Sequence, residues 1–224
     1  MSNEFDRYAD TYDQLLDGSI PDALRENAYF AEYKVALMAR RLRMASIKSI
    51  LDFGCGLGRS LFFMHQYFPD AELYGFDLSP LSLDLAKRKM PQVTLTTKWS
   101  EISSIKYDCI FAANVFHHIP KEERKLAMVN CHNLLAQDGH FFLFEHNPFN
   151  PITRRIFERC PFDQDAEMLF KSEVEALANL AELMVVDSAY TLFFPKQMAF
   201  LRGFEPALRR LPIGAQYYVE LAKA

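Results

Sequence analysis

The amino-acid sequence predicts one α/β domain organised around a mostly parallel sheet. Three observations carry that expectation. Between residues 49 and 146, short apolar runs alternate with helix-length segments, the pattern of parallel strands joined by crossover helices. The run SILDF leads straight into three alternate glycines, Gly54, Gly56 and Gly58. A second strand-like run, LYGF, ends in an acid, Asp77, 23 residues after Gly54. A nucleoside-binding sheet needs both features: small residues for close backbone approach, and a carboxylate at the end of the next strand.

Taken in order, residues 1–45 are expected to be helical, with FDRYADTYD first and then a longer helix from about 21 to 44, where Pro21 suits a first helical turn. Strands are then expected at 49–53, 72–76, 93–96, 107–113 and 140–146, with helices at 58–68, 80–89 and 121–136. Pro69, Pro91, Pro120 and the Asp138–Gly139 pair punctuate these elements as breakers or turns. Residues 147–170 hold three prolines and are too long for an ordinary loop yet too apolar for a disordered linker, so they are expected to form an ordered insertion. A helix is expected at 172–182, with Ser172 and Glu175 as its capping box. Strand-like runs at 184–194 and 215–222 close the chain, separated by a second insertion at 195–214.

The 224 residues suit a single domain with embellishments, 1–224, large enough to bury a sizeable core. A net charge of −4 offers no general attraction to nucleic acid and argues for a small substrate. Arg40, Arg41 and Arg43 form a local basic cluster, read as a solvated helix face near a C-terminus. The four cysteines lie far apart with no C-x-x-C pair, against a zinc site or disulfide framework. No apolar run is long enough for a membrane span and the first residues are acidic, unlike a signal peptide, so a cytoplasmic setting is expected. These features leave the oligomeric state open.

The spacing of the glycine turn narrows the ligand. A dinucleotide fold places a third glycine where this chain has Arg59. The tighter G-x-G-x-G, preceded by Asp52, resembles motif I of the class I S-adenosylmethionine-dependent methyltransferases of small-molecule type. The resemblance covers 45–146 closely and 172–224 loosely. It implies a Rossmann-like three-layer sandwich whose seven-stranded, mostly parallel sheet has an antiparallel last strand. It also implies S-adenosyl-L-methionine as cofactor, with Asp52, Gly54, Cys55, Gly56 and Gly58 around it. Cys55 then serves as a small residue rather than a nucleophile. Asp77, with Leu78 beside it, would accept both ribose hydroxyls. Trp99 would stack on the adenine or, alternatively, pack beneath the sheet edge; Ser100 would accept the adenine amino hydrogen, with Glu101 a shifted acid. Asn114 would lie beside the sulfonium through its backbone carbonyl. Residues 1–45 resemble a helical flap whose Tyr8 or Tyr12 closes over the cofactor, and 147–170 and 195–214 are read as substrate caps.

The segment NVFHHIP resembles the turn after the fourth strand in small-molecule methyltransferases. His118 there has three open roles: packing against cofactor, orienting the substrate, or removing a proton from a substrate hydroxyl. His146, at the end of the fifth strand, is the second candidate base. Glu145 and His146 alternate, so only one is expected to face the site. A metal-free site is expected, because two pairs of sequence neighbours, His117–His118 and Glu145–His146, converge poorly on one ion. NPFN at 147–150 is read as a coincidental likeness to an amino-methylating motif. Arg154 and Arg155 would hold an anionic substrate group or pair with Asp163 and Asp165. The resulting expectation is methylation of a small-molecule acceptor (a sugar, a lipid-linked compound or a secondary metabolite), with oxygen favoured. The alternatives are a nucleic-acid or protein methyltransferase, a non-catalytic cofactor-binding module and, against the glycine spacing, an NAD-dependent oxidoreductase.

Overall fold

A computed structural model describes residues 27–223. The chain order is α1 (Asn27–Arg41), β1 (Ser49–Phe53), α2 (Arg59–Tyr67), β2 (Glu72–Phe76), α3 (Pro80–Lys89), β3 (Thr94–Thr96), α4 (Trp99–Ile102), β4 (Tyr107–Ala113), α5 (Arg124–Leu134), β5 (Leu135–His146), α6 (Pro151–Phe157), α7 (Lys171–Leu180), β6 (Leu183–Thr191), α8 (Glu205–Leu208) and β7 (Gln216–Lys223). The seven strands form one sheet in the order β3-β2-β1-β4-β5-β7-β6. Strands β1 to β5 pair in parallel, and β7 runs antiparallel to both β5 and β6. The sheet is the one implied by the sequence, including its antiparallel last strand. Strand order reverses between β1 and β4, which puts a crevice at their carboxyl ends.

Apolar residues on both faces of the central strands make the sheet the middle layer. Along β5, Phe141 and Leu143 pack with Met128 and Leu134 of α5 and Val174 and Ala178 of α7. Phe142 and Phe144, on the opposite face, pack with Val35 and Met38 of α1 and Leu61 and Met64 of α2. This double burial explains why the strands read as continuous apolar runs. Helix starts follow local chemistry. Ser79 caps α3, its side chain accepting from the Ser82 N–H at 3.1 Å, and Pro80 follows in the first turn. No helix among the described residues is long and apolar enough to cross a membrane.

Several boundaries differ from expectation. Strand β5 begins at Leu135 rather than 140, because Leu135 already pairs with Tyr107 across a register shift. Helix α7 is not capped by Ser172 and Glu175. It starts one residue earlier, and the Glu173 carboxylate accepts the Phe170 N–H at 2.7 Å. Glu175 instead accepts from Lys171 and from the Ser188 hydroxyl, tying the helix to β6. Arg41 is exposed in the last turn of α1, as expected, and in addition pairs with Glu220 of β7 at 2.6 Å and with Asp187 of β6 at 3.5 Å.

The two insertions form one cap stitched together by asparagines. Asn147, fully buried, donates from its amide nitrogen to the carbonyls of Pro212 and Gly214, and its oxygen accepts the Phe149 N–H. Asn150 caps α6, accepting from the N–H groups of Ile152 and Thr153, and donates to the Ile213 carbonyl. The two asparagines of NPFN therefore have a structural role in the cap. The second insertion also docks on α1, where Arg202 lies 3.7 Å from the Tyr29 ring centroid. Asn147→Ala is expected to lower unfolding free energy by about 1–3 kcal/mol, because buried carbonyls lose their donor. Urea denaturation measures it.

Candidate functional site

The glycine turn sits on the carboxyl end of β1 and is pinned to β2: the N–H groups of Gly54 and Cys55 both donate to the Phe76 carbonyl, at 2.7 and 3.1 Å. Gly54, Gly56 and Gly58 all have positive φ, at 77°, 49° and 74°. At Gly54 a Cβ would meet Val115 at 2.4 Å, whereas at Gly56 nothing lies within 4 Å. Gly54 is therefore needed for packing, and Gly56 opens onto free space. Asp77 stands just past β2, with one carboxylate oxygen accepting the Gly56 N–H at 2.8 Å and the other the Ser79 N–H at 2.9 Å.

Asp52 is buried, and its Oδ2 has no hydrogen-bond partner among the described residues. Burial and then the nearby Asp77 charge push its carboxyl up to about 8, with Lys34 opposing. Lys34, buried on α1, is pushed down to about 8 by burial against the attraction of Glu145 and Asp52. An orphaned buried acid, an open turn and a fixed second acid suit a small polar ligand carrying a cation and vicinal hydroxyls. Cys55 is buried, and burial raises its thiol well above the ordinary range, so it fills space rather than reacting.

The other cofactor candidates are placed less uniformly. Trp99 packs edge-on against Phe76 at 5.8 Å, which favours the packing alternative for at least one ring face. Ser100 is exposed, and Glu101 pairs with Lys98 at 3.2 Å. Leu78 is 52% exposed beside Asp77. Asn114, at the switch point, has a left-handed φ of 58°, and its side-chain oxygen accepts from Gln216 Nε2 at 3.3 Å. Tyr8, Tyr12 and the rest of residues 1–26 lie outside the described residues.

Next to Asn114 the chain turns through Phe116–His118, and one carboxylate holds that turn. Glu145, buried at the end of β5, accepts with Oε1 from the N–H groups of Val115, Phe116 and His117, at 3.0, 2.7 and 3.3 Å. Its Oε2 lies 2.6 Å from His117 Nδ1. Burial alone would raise the Glu145 carboxyl, but the His117 charge and hydrogen bond hold it well below the usual range. His117 is affected in the reverse sense: burial lowers it, yet Glu145 and Asp163 carry it up to about 9. His118 and His146 are both pushed down to about 4, by burial and then the His117 charge.

His117 thus meets both residues expected to face apart, since the His146 ring lies 5.3 Å from it. Strand alternation stops separating them because the turn lies beyond the last β4–β5 pair, Ala113 with Phe144. Contrary to expectation, the neighbouring histidines do converge: His117 and His118 both face Asp163, through Nε2 atoms at 3.5 and 3.4 Å from Oδ1. Asp163 therefore does not pair with Arg154, which reaches Glu158 instead at 3.8 Å. Asp163 and Gln216 are the site residues that sequence reasoning missed. Each reaches the site only through tertiary folding, and neither carries a local motif. Two surface clefts, of about 460 and 710 Å³, open at the amino ends of the strands around Glu72, opposite these residues.

A seven-stranded sheet in this order, with its glycine turn and acid at the switch point, is the fold of the class I S-adenosylmethionine-dependent methyltransferases. Residues 51–141 match the family described as a methyltransferase domain. Among curated proteins, a trans-aconitate 2-methyltransferase from Escherichia coli is 30% identical over 113 residues, which cover 50% of this chain and 38% of the relative. The chain thus matches less than half the length of that relative. Among solved structures, the CcbJ methyltransferase from Streptomyces caelestis is similar at a TM-score of 0.66 and 17% identity, covering 100% of this chain and 98% of that one. The magnesium protoporphyrin IX methyltransferase from Synechocystis, solved with bound S-adenosylmethionine, is similar at 0.62 and 15% identity, covering 98% and 94%.

Asp52 links the site to stability. A carboxyl whose folded pKa is raised stabilises the fold fully below its unfolded value and loses that contribution as pH rises through the folded one, near 8. Asp52→Asn removes the titration. The ligand-free variant is expected to melt higher than wild type at about pH 8, by a margin that shrinks toward about pH 6. Calorimetric scans across this range check it.

Proposed function

We propose that the protein transfers the methyl group of S-adenosyl-L-methionine to an oxygen of a small-molecule acceptor. The observation that carries this reading is the division of the crevice. Open glycine turn and paired acids lie on the β1–β2 side, and two uncharged histidines lie just past β4 and at the end of β5. Asp77 would hold the ribose hydroxyls, Asp52 would face the ammonium group, and Gly56 would admit the ligand against bare backbone. When bound, this cofactor supplies an electrophilic methyl on a sulfonium whose departing thioether needs no proton.

The work left to the chain is alignment and, for a hydroxyl acceptor, removal of one proton. His118 and His146, uncharged at neutral pH chiefly through burial, are the candidate acceptors of that proton on a ring nitrogen. Phe149, Ile152, Phe200, Phe204 and Ile213 of the two caps expose much of their side chains, which supports an acceptor with an apolar part, such as a lipid-linked or secondary-metabolite compound. The matched trans-aconitate enzymes support a small acceptor as well.

Titration calorimetry with S-adenosylmethionine tests the cofactor half. Wild type is expected to bind, and Asp77→Ala to bind at least about tenfold more weakly, since hydrogen bonds to a charged group contribute about 1.5–3 kcal/mol each. Absence of binding by wild type would refute the reading. His146→Ala is expected to lower kcat by about 10²–10⁴ with cofactor affinity kept, the loss typical of a missing general base. A panel of hydroxyl and carboxyl acceptors, followed by release of the demethylated cofactor, supplies the assay.

A further inference from the structure

We propose that His117, His118 and Asp163 form a binding site for one divalent transition-metal ion of the zinc class, with an open position for an acceptor oxygen. The site deepens the proposed function, and its acceptor role rests on that reading.

The spacing of the three side chains is the first argument. His117 Nε2 and His118 Nε2 lie 3.5 and 3.4 Å from Asp163 Oδ1. A charge-assisted N–H···O bond closes to about 2.7–2.9 Å. Ligand atoms around a tetrahedral ion, with bonds of about 2.0–2.1 Å, stand about 3.3–3.4 Å from one another. The observed separations match ligand-to-ligand spacing better than direct hydrogen bonding. All three ligand atoms lie within 4.8 Å of one another, and the residue types are those that zinc and ferrous ions take.

Support behind the ligands is the second argument. A metal-binding imidazole typically gives its other N–H to a carboxylate, which fixes the tautomer and turns the free nitrogen toward the ion. His117 has that arrangement: Nδ1 lies 2.6 Å from Glu145 Oε2, leaving Nε2 facing Asp163. Glu145 is itself held by three backbone N–H groups, so the imidazole is fixed before any ligand arrives. Asp163 belongs to a separate short turn, Pro161–Asp163, and the Glu167 N–H donates to the His117 carbonyl, joining the first cap to the histidine turn.

Accessibility is the third. The His117 side chain is 1% exposed, whereas Asp163 and His118 are 11% and 23% exposed. The ligand cluster is therefore closed behind and reachable in front, as a site with an open coordination position requires. His146 is not part of this cluster of ligand atoms. With His118 held by the ion, proton removal falls to His146.

The test uses the full chain stripped with a chelator and titrated with Co²⁺, read by visible absorption. Zn²⁺ displacement, Asp163→Ala, Asp163→Asn and S-adenosylmethionine calorimetry run in parallel. One Co²⁺ per chain with an intense band, displaced by Zn²⁺ and weakened at least about tenfold in both variants while cofactor affinity is kept, is expected. A band that shifts on adding acetate demonstrates the open position, and one that does not overturns the acceptor role. No band, or equal binding by wild type and variants, overturns the metal site and leaves the cluster as a protonated His117 between two carboxylates. If the metal binds and S-adenosylmethionine does not, the proposed function fails alone.

Discussion

The geometry of the crevice depends on the Glu145 carboxylate. It is buried at the end of a central strand, where an unpaired charge would cost several kcal/mol, and it is compensated by three successive backbone N–H groups and by the ring of His117. Those partners all belong to the turn after the neighbouring strand. One side chain therefore converts two adjacent strand ends into a fixed mouth. It sets where His117 stands, while burial and then the His117 charge push His118 and His146 down against the pull of the Glu145 charge itself.

Across the switch point the electrostatics are arranged differently. Asp52 lies buried with an oxygen unpartnered among the described residues, close enough to Asp77 and Lys34 for their charges to shift it. Such a group costs stability in the ligand-free protein and gains a use when a cation is bound. The histidine side is internally compensated, while the acid side is not. On the reading proposed above, that asymmetry would separate the half that receives the charged cofactor from the half that handles the acceptor. Asn114, in a left-handed conformation, and Gln216, bonded to it, stand between the two.

Most of the fold was legible because its signals are local. Strands at 49–53, 72–76 and 107–113 and the helix at 80–89 appear with the predicted bounds, each marked by an apolar run and a breaker or cap. Asp77 and the glycines were legible because their roles follow from spacing along one βαβ unit. Misreadings arose where a partner comes from far along the chain. Arg41 is the exposed helix-end residue expected, but its partner Glu220, 179 residues away, has no local signal. Asp163 looked like a partner for nearby arginines, yet the fold carries it to two histidines some 45 residues earlier in sequence. Strand alternation failed for Glu145 and His146 because the turn they meet lies past the end of the ladder.

The central claim is that the methyl donor lies along the glycine turn with its reactive end directed at the mouth held by Glu145. A crystal structure of the full chain with the demethylated cofactor tests it most directly. The account predicts ribose hydroxyls on Asp77, the amino group beside Asp52, and the sulfur facing the opening between Asn114 and His146. A cofactor bound elsewhere, or one whose sulfur faces away from the histidines, would contradict it.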